Sequence, residues 1–269
     1  MAFQIPDNEA LLQTSNPSDI SVSWRDVVKT YPNGHVALRG VSLDAKRGQI
    51  LALLGTSGSG KTTLLKLVNR LIDPTSGIVS VNGKSTADWD RIELRRSIGY
   101  VIQEAGLLPH FTILANVALV PKLQGVKRSV RESRAHDLLE LVGLEPARFA
   151  RLYPRELSGG QRQRVGVARA LASDPDLILM DEPFGALDPI TRRGLQDEFR
   201  ALQQRLGKTV ILVTHDVREA SSIADQVALV DRGVVVQAGL PADLIERPLN
   251  DFVRSFFQDV ALSIAERSS

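Results

Sequence analysis

The sequence predicts an α/β protein with a parallel-sheet core, an N-terminal antiparallel β subdomain and an inserted α-helical subdomain. Three short apolar runs, 50–54, 177–180 and 209–214, have the length and composition of buried parallel strands. Segments that alternate apolar and polar residues flank the first run, and a helical segment covers about 104–165. A chain of 269 residues suits one α/β domain with a subdomain.

The composition narrows the class of protein. Lys and Arg number 33 against 31 Asp and Glu, and a net charge of +2 is too balanced to argue for a nucleic-acid partner. The absence of cysteine excludes disulfides and thiolate metal sites. Residues 1–20 carry no signal-peptide pattern, and the longest apolar runs are far shorter than the roughly 20 residues of a transmembrane helix. We therefore expect a soluble chain that reaches any membrane through a partner.

The first elements in chain order predict the antiparallel part. Residues 1–20 are polar and aperiodic, which predicts a mobile N-terminal extension. The alternating segments 22–24 and 41–43 predict half-exposed strands with a turn at 31–34 between them. Residues 78–83 repeat the pattern and end in Asn-Gly. Together these segments predict a small antiparallel sheet beside the parallel core.

A glycine-rich segment lies between the first apolar run and the helical pattern 64–68. Such a turn exposes backbone N–H groups and a helix N-terminus, both of which attract phosphate. Lys61 adds a positive charge for the β- and γ-phosphates, and the Thr62 hydroxyl is a ligand for Mg²⁺. A flexible Gly/Ser turn, the alternative, leaves unexplained why all fixed positions of G-x-x-x-x-G-K-T stand between a strand and a helix. The segment predicts a P-loop (RecA-like) nucleoside triphosphatase core, with phosphate-binding residues Gly55, Thr56, Ser57, Gly58, Ser59, Gly60, Lys61, Thr62 and Thr63.

Two helices are predicted in the inserted segment. Ser129 and Glu132 have capping-box spacing, and the apolar stripe after them stops at Gly143. A second helix starts at 158–161, where serine and glutamine again have capping-box spacing. On physical grounds alone the capping box is the better interpretation of 158–161. The alternative uses the same geometry, because the two glycines would let a phosphate approach the exposed N–H groups.

Polar residues follow the later apolar runs. Asp181 and Glu182 come directly after 177–180, at the carboxyl end of the strand, where ligands bind in open α/β sheets. In a phosphate site the first acid holds the hydration shell of Mg²⁺ and the second polarises a water for attack. Two solvated loop carboxylates are the alternative, which the preceding P-loop disfavours. His215 follows 209–214 and, taken alone, is more typical of a structural histidine.

The remaining signals define the C-terminal part. Asp188-Pro189 predicts a helix start, and so does the cap spacing of Asp216 and Glu219. Residues 226–237 predict a hairpin around Asp-Arg-Gly, and the tail carries an apolar set. That set is Phe252, Val253, Phe256 and Phe257.

In order and spacing, these motifs resemble those of the ATP-binding-cassette family. The resemblance covers about 20–245, and its most specific element is Leu-Ser-Gly-Gly-Gln at 157–161, which P-loop proteins at large do not carry. The other matching positions are 55–62, Gln103, 177–182, 186–188 and His215.

The resemblance implies roles at the nucleotide. Tyr31 matches the aromatic residue that stacks on the adenine of ATP. Thr62 and Gln103 match Mg²⁺ ligands, and Asp181 matches the acid that reaches the ion through water. The implied catalytic residues are Glu182 as general base, His215 at the γ-phosphate, Gln103 and Lys61.

The resemblance also implies a head-to-tail homodimer. Phosphate sites at 55–63 and 158–161 cannot easily serve one nucleotide side by side in one chain, whereas two chains could use both. Asp188 would link the two composite sites. The residues implied to meet the ATP held by the opposite subunit are Ser158, Gly159, Gly160 and Gln161.

A closer resemblance is to the ATPase subunits of bacterial osmoprotectant importers, which take up glycine betaine, choline or carnitine. Segments 69–77, 103–110 and 250–254 carry it. It implies transmembrane permease subunits that dock at 103–121, a separate solute-binding protein, and a place on the cytoplasmic face of the membrane. Many such subunits continue into paired CBS domains, for which we expect no room in this chain.

The expected organisation is an extension at 1–20, an ATPase domain at 21–245 with its helical subdomain at about 104–165, and a helical tail at 246–269. One alternative is an importer ATPase for another small solute, such as an amino acid. A soluble cassette acting on DNA or the ribosome is disfavoured, because the chain has neither a long coiled-coil insertion nor a second cassette. A P-loop kinase would leave 157–161 and His215 unexplained.

Overall fold

The structure is a computed structural model that describes residues 17–185 and 187–258. The expectations for the extension up to residue 16, for Ala186 and for the tail beyond 258 lie outside these residues.

The strands are β1 (Ile20–Thr30), β2 (Val36–Lys46), β3 (Ile50–Leu54), β4 (Ser76–Val81), β5 (Lys84–Ser85), β6 (Ile98–Val101), β7 (Leu177–Asp181), β8 (Thr209–Thr214), β9 (Gln226–Asp231) and β10 (Val234–Gly239). The helices are α1 (Lys61–Val68), α2 (Arg91–Ser97), α3 (Ile113–Val117), α4 (Leu119–Leu123), α5 (Arg128–Leu141), α6 (Pro146–Phe149), α7 (Gly159–Leu171), α8 (Pro189–Leu206), α9 (Val217–Ile223) and α10 (Pro241–Glu246).

The described chain forms two compact units. One contains the described residues up to Trp89 and from Ile211 onward, and the other is Asp90–Val210. No helix within the described ranges is long and apolar enough to cross a membrane.

The first unit contains the predicted antiparallel sheet, in the order β2-β1-β4-β5. Trp24 of β1 is opposite Leu43 of β2 and Val79 of β4, and its side chain is fully buried. The strands are longer than the sequence segments that predicted them, because backbone pairing continues past the alternating residues. The prediction of an antiparallel subdomain is confirmed.

The parallel core of the first unit is built around β3, in which all five residues are buried. β3 pairs in parallel with β9, and β10 returns antiparallel to β9 in the order β10-β9-β3-β8. A helical segment at 251–258 packs Val253 and Phe257 against Leu54 and Leu229. Two of the predicted tail residues therefore belong to this core, and Phe252 and Phe256 pack against it.

The second unit contains the parallel pair β6 and β7 together with α2 to α8. The predicted cap at Ser129 is wrong: α5 begins at Arg128 with Lys127 at the N-cap, and Glu132 accepts a bond of 2.7 Å from the Arg128 Nε. An i, i+4 ion pair thus takes the carboxylate that a capping box needs. α2 has no counterpart in the sequence analysis, although Asp90 caps it by accepting from two backbone N–H groups.

Candidate nucleotide-binding site

The loop after β3 has a backbone that only glycine fits at two positions. Gly55 has a φ of 150° and a Cβ there would overlap the Val230 carbonyl oxygen. Gly60, the N-cap of α1, has a φ of 111° and a Cβ would lie 2.7 Å from the Ala37 carbonyl oxygen. The two glycines let the chain turn sharply between a buried strand and a helix N-terminus.

Polar groups inside this loop suit a polyphosphate. Lys61 is 5% exposed, and its ammonium donates to the carbonyls of Gly55 at 2.8 Å and Thr56 at 2.7 Å, which holds the charge within the loop. The buried Ser59 hydroxyl has no hydrogen-bond partner, and a Cβ on Gly58 would meet nothing within 4 Å. A positive charge, an unused hydroxyl and open space beside a helix N-terminus fit an anion with several oxygens.

The turn between β9 and β10 braces the loop. The Gly233 N–H donates to the Ser59 carbonyl at 2.9 Å, and the Gly233 carbonyl accepts from the Arg39 N–H at 2.9 Å. No pattern in the sequence indicates this role, because a glycine in a hairpin turn carries no signal of what the turn contacts.

Replacing Gly233 with alanine is expected to lower the free energy of unfolding by more than about 3 kcal/mol and to weaken binding of a fluorescent ATP analogue. Its φ is 82°, and a Cβ would lie 2.6 Å from the Ala37 carbonyl oxygen. Gly83→Ala is the matched control, since Gly83 has a φ of 77° but open space around a Cβ. We expect the control to lower the free energy of unfolding by about 1–2 kcal/mol, because only the left-handed backbone is unfavourable for alanine there. Equal losses in urea unfolding would contradict the bracing role.

Tyr31 lies beside the start of α1. Its hydroxyl is 3.2 Å from the hydroxyl of the buried Thr63, and its ring stacks on His35 with centroids 6.4 Å apart. The Lys29 ammonium lies 5.3 Å from the centre of the Tyr31 ring. Thr62, the next residue toward the loop, is half-buried. The structure therefore joins Tyr31 to the loop through Thr63, while its contact with adenine stays a prediction.

The predicted acids lie at the carboxyl end of β7 in the second unit. Asp181 and Glu182 are half-buried, and Glu182 has a φ of 46°, which is uncommon for a side-chain-bearing residue. Burial, and secondly the charge of Asp181, raise the pKa of the Tyr100 hydroxyl to about 12. Tyr100 of β6 pairs with Leu179 of β7, so it lies on the strand next to the one that carries the acids.

An arginine of α8 holds the backbone that follows Glu182. Arg192 donates to the carbonyls of Phe184 at 3.1 Å and Leu187 at 2.9 Å. Phe184 itself is buried, and the Gly185 N–H donates back to the Glu182 carbonyl at 3.3 Å. The backbone at Phe184 and Leu187, between the predicted base and Asp188, is therefore held from α8. Sequence reasoning missed Arg192, because an arginine early in a helix is usually solvated.

The segment 158–161 forms the predicted capping box at the start of α7. The Ser158 hydroxyl accepts from the Gln161 N–H at 3.3 Å, and the Gln161 side chain accepts from the Ser158 N–H at 2.9 Å. A Cβ on Gly159 would lie 3.5 Å from Leu187, and one on Gly160 would lie 3.1 Å from Thr191. The two glycines thus bring this helix start against the loop and helix that follow Glu182.

Asp188 caps α8 as predicted, accepting from the N–H groups of Ile190 at 3.2 Å and Thr191 at 3.0 Å, with Pro189 in the first turn. A hydrogen bond from the Thr191 side chain, followed by those from the backbone, lowers the pKa of the exposed Asp188 carboxyl.

Gln103 is exposed at the start of a short helical turn, Gln103–Gly106. Arg169 of α7 donates to the carbonyls of Ala105 at 2.6 Å and Gly106 at 2.8 Å, and burial lowers the pKa of its guanidinium. A Cβ on Gly166 would lie 3.1 Å from that of Ala105, so the turn lies directly on α7. The helix that begins at 158–161 therefore also supports the turn that contains Gln103. No sequence signal indicated this contact.

The predicted site residues are divided between the two units. Tyr31, 55–63 and the exposed His215 belong to the first, and Gln103, 158–161, Asp181, Glu182 and Asp188 belong to the second. Within the described residues, no group of three His, Asp or Glu side chains is placed to hold a metal ion. Mg²⁺ commonly takes one or two protein ligands and completes its shell with phosphates and water. The oxygen donors predicted for it, on Thr62, Gln103 and Asp181, are of the kind that Mg²⁺ takes.

The buried strand, the glycine-shaped loop and the lysine inside it define a P-loop nucleotide-binding protein. The profile of the ABC transporter family matches residues 38–185, more than half of the sequence. The chain belongs to the ABC transporter family.

Curated relatives and a solved structure agree with this assignment. The glycine betaine/carnitine/choline transport ATP-binding protein OpuCA of Bacillus subtilis is 50% identical over 86% of this chain and 60% of its own length. The glycine betaine uptake system ATP-binding protein YehX of Escherichia coli is 49% identical over 82% of this chain and 71% of its own. The ATP-binding cassette MJ0796, a dimer in a post-hydrolysis state with ADP and Pi, is 38% identical with a TM-score of 0.72, over 82% of this chain and 98% of its own. The chain thus spans about 60% of the length of OpuCA.

Proposed function

We propose that this chain is the ATP-hydrolysing subunit of an ABC importer that takes up a compatible solute such as glycine betaine or choline. The observation that carries the proposal is the loop 55–63, which bends at Gly55 and Gly60 and whose Lys61 ammonium donates to the carbonyls of Gly55 and Thr56. The names of OpuCA and YehX support the class of solute.

ATP and Mg²⁺ are the proposed ligands. The backbone N–H groups and Ser59 hydroxyl of the loop bind phosphate oxygens, Lys61 binds the β- and γ-phosphates, and Tyr31 stacks on the adenine. Thr62 and Gln103 are proposed Mg²⁺ ligands, with Asp181 acting through water. The ion supplies charge neutralisation on the phosphates when bound.

Hydrolysis needs a base and a group at the γ-phosphate. We propose Glu182 as the base that accepts a proton from the attacking water, because it follows a buried strand and Arg192 holds the carbonyls of Phe184 and Leu187 after it. His215 is the proposed γ-phosphate contact, and Lys61 and Gln103 complete the catalytic set.

The active form is proposed to be a head-to-tail homodimer. The helix start at 158–161 would meet the ATP held by the loop of the second copy, and Asp188 would link the two sites. The dimeric state of the similar cassette MJ0796 supports this arrangement.

Transmembrane permease subunits are the proposed partners, docking at 103–121 on the cytoplasmic face of the cell membrane, with solute delivered by a separate binding protein. The fully buried Asn116 supports a firmly shaped docking segment: its Oδ1 accepts from the Leu108 N–H at 2.8 Å, and its Nδ2 donates to the carbonyls of Phe111 at 3.2 Å and Thr112 at 3.0 Å. A groove of about 400 Å³ adjoins this segment, lined in part by Phe111, Thr112 and Leu114.

Affinity purification from detergent-solubilised membranes tests the partner. We expect a polytopic membrane protein to purify with the chain. Co-purification of ribosomal or DNA-repair proteins in its place would favour the soluble, non-transport alternative. No nucleic-acid partner is proposed.

The solute is tested by the ATPase activity of the complex reconstituted with its binding protein. We expect glycine betaine or choline to stimulate turnover, because the cassette drives closing and reopening of the permease and does not itself select the solute. The panel includes betaine, choline, carnitine and polar amino acids. Stimulation by an amino acid and by none of the quaternary amines would reject the compatible-solute assignment and favour an importer of another small solute.

A further inference from the structure

Two buried polar side chains support the turn that carries His215. Thr214, the last residue of β8, is 2% exposed, and Glu219 of α9 is 5% exposed. The Thr214 hydroxyl lies 2.9 Å from the Glu219 Oε2, and the Asp216 N–H donates to the Thr214 Oγ1 at 3.0 Å. The exposed His215 therefore lies between Thr214 and Asp216, which the Thr214 hydroxyl joins by a hydrogen bond.

The directions of these hydrogen bonds are fixed by chemistry. The Asp216 N–H can only donate, so the Thr214 hydroxyl accepts from it and donates its own proton to the Glu219 Oε2. A threonine that accepts from the N–H two residues later closes a tight turn across the residue between them. Glu219 sets the rotation of the hydroxyl and so keeps its lone pair aimed at that N–H.

Capping α9 does not require the buried pair. The Asp216 carboxylate already accepts from the N–H groups of Arg218 at 2.9 Å and Glu219 at 3.2 Å. Burying a hydroxyl and a carboxyl is unfavourable unless their hydrogen bonds are made, and an apolar pair at these positions would avoid that cost. What the polar pair adds is a defined backbone at His215.

We propose that Thr214 and Glu219 are positioning residues that act on ATP hydrolysis through His215. The inference rests on the proposed function, in which His215 contacts the γ-phosphate. Neither side chain touches the nucleotide in this proposal. They orient the imidazole of His215, so replacing them should change the rate of turnover and not the affinity for ATP.

The test measures turnover for single variants and for the same variants in a His215→Ala background. We expect Thr214→Val to lower kcat about 10-fold with little change in KM for ATP, and Thr214→Ser, which keeps the hydroxyl, to restore most of it. Glu219→Leu, which removes the acceptor from the other side of the bond, is expected to lower kcat similarly. With His215 replaced by alanine, neither change should lower kcat further. Thr209→Val makes the same substitution at the other end of β8 and is expected to leave kcat near wild type.

Each other outcome has a distinct meaning. Thr214→Val could lower kcat by the same factor in the His215→Ala background, or its kcat loss could be explained by a lower melting temperature alone. Either result would overturn the positioning role and leave a structural one. Wild-type kcat in Thr214→Val would also overturn it. If Thr214→Val fails to fold, Glu219→Leu provides the same test: its kcat is compared with that of the wild type, and again with and without His215. Wild-type turnover in His215→Ala itself would reject the proposed role of the histidine and, with it, the need to position it.

Discussion

Glu182→Gln is expected to bind ATP and to lose turnover by about 10²- to 10⁴-fold, the usual contribution of a general base. The amide has nearly the shape of the carboxylate but does not accept a proton from the attacking water. The left-handed backbone at Glu182 and the bonds from Arg192 to the following loop should persist, because neither involves the carboxylate charge. ATP binding at the loop 55–63 should therefore be kept.

The measurement is single-turnover hydrolysis together with equilibrium binding of ATP. Glu246→Gln on α10 is a matched control, since it makes the same chemical change at an exposed position outside the proposed site. We expect the control to hydrolyse at the wild-type rate. Wild-type hydrolysis by Glu182→Gln would show that another group is the base.

The parts of the fold that were predicted are those determined by neighbours in sequence. β3 and β8 are continuous apolar runs, and each proved to be a fully buried strand. The starts of α7 and α8 have serine and aspartate caps whose partners lie within three residues. In these segments local geometry and burial favour the same structure, so the pattern was sufficient.

Elements governed by competition between local interactions were predicted less well. Ser129 and Glu132 have the spacing of a capping box, yet Glu132 pairs with Arg128 and the helix starts earlier. The α2 helix has only seven residues, too few for an apolar period to stand out.

Supports that join distant parts of the chain could not be predicted at all. Arg169 reaches a turn more than sixty residues away, and Gly233 braces a loop that precedes it by more than 170 residues. In sequence, the first looks like a solvated helix residue and the second like an ordinary turn glycine. Only packing of the folded chain gives these residues their contacts.

Ser158→Arg is expected to abolish an ATP-dependent dimer and to leave ATP binding by the single chain intact. The trapped protein Glu182→Gln with Mg²⁺ and ATP should run as a dimer by light scattering. Ser158 is exposed at the start of α7, where the proposed dimer would place the phosphates of the second copy's ATP. The long arginine side chain would fill the space proposed for those phosphates. Losing the serine N-cap of α7 lowers the stability of the chain by only about 1 kcal/mol.

Two further substitutions separate the cap from the phosphate contact. Ser158→Asp keeps a good N-cap residue, accepting from the Gln161 N–H as serine does, but brings a negative charge to the phosphates. Ser158→Ala loses the cap and adds neither bulk nor charge. Because the proposed interface depends on phosphate contact, we expect the aspartate variant to stay monomeric and the alanine variant to dimerise more weakly than serine. A dimer that persists in Ser158→Asp, or a trapped protein that remains monomeric at high concentration, would contradict the composite site.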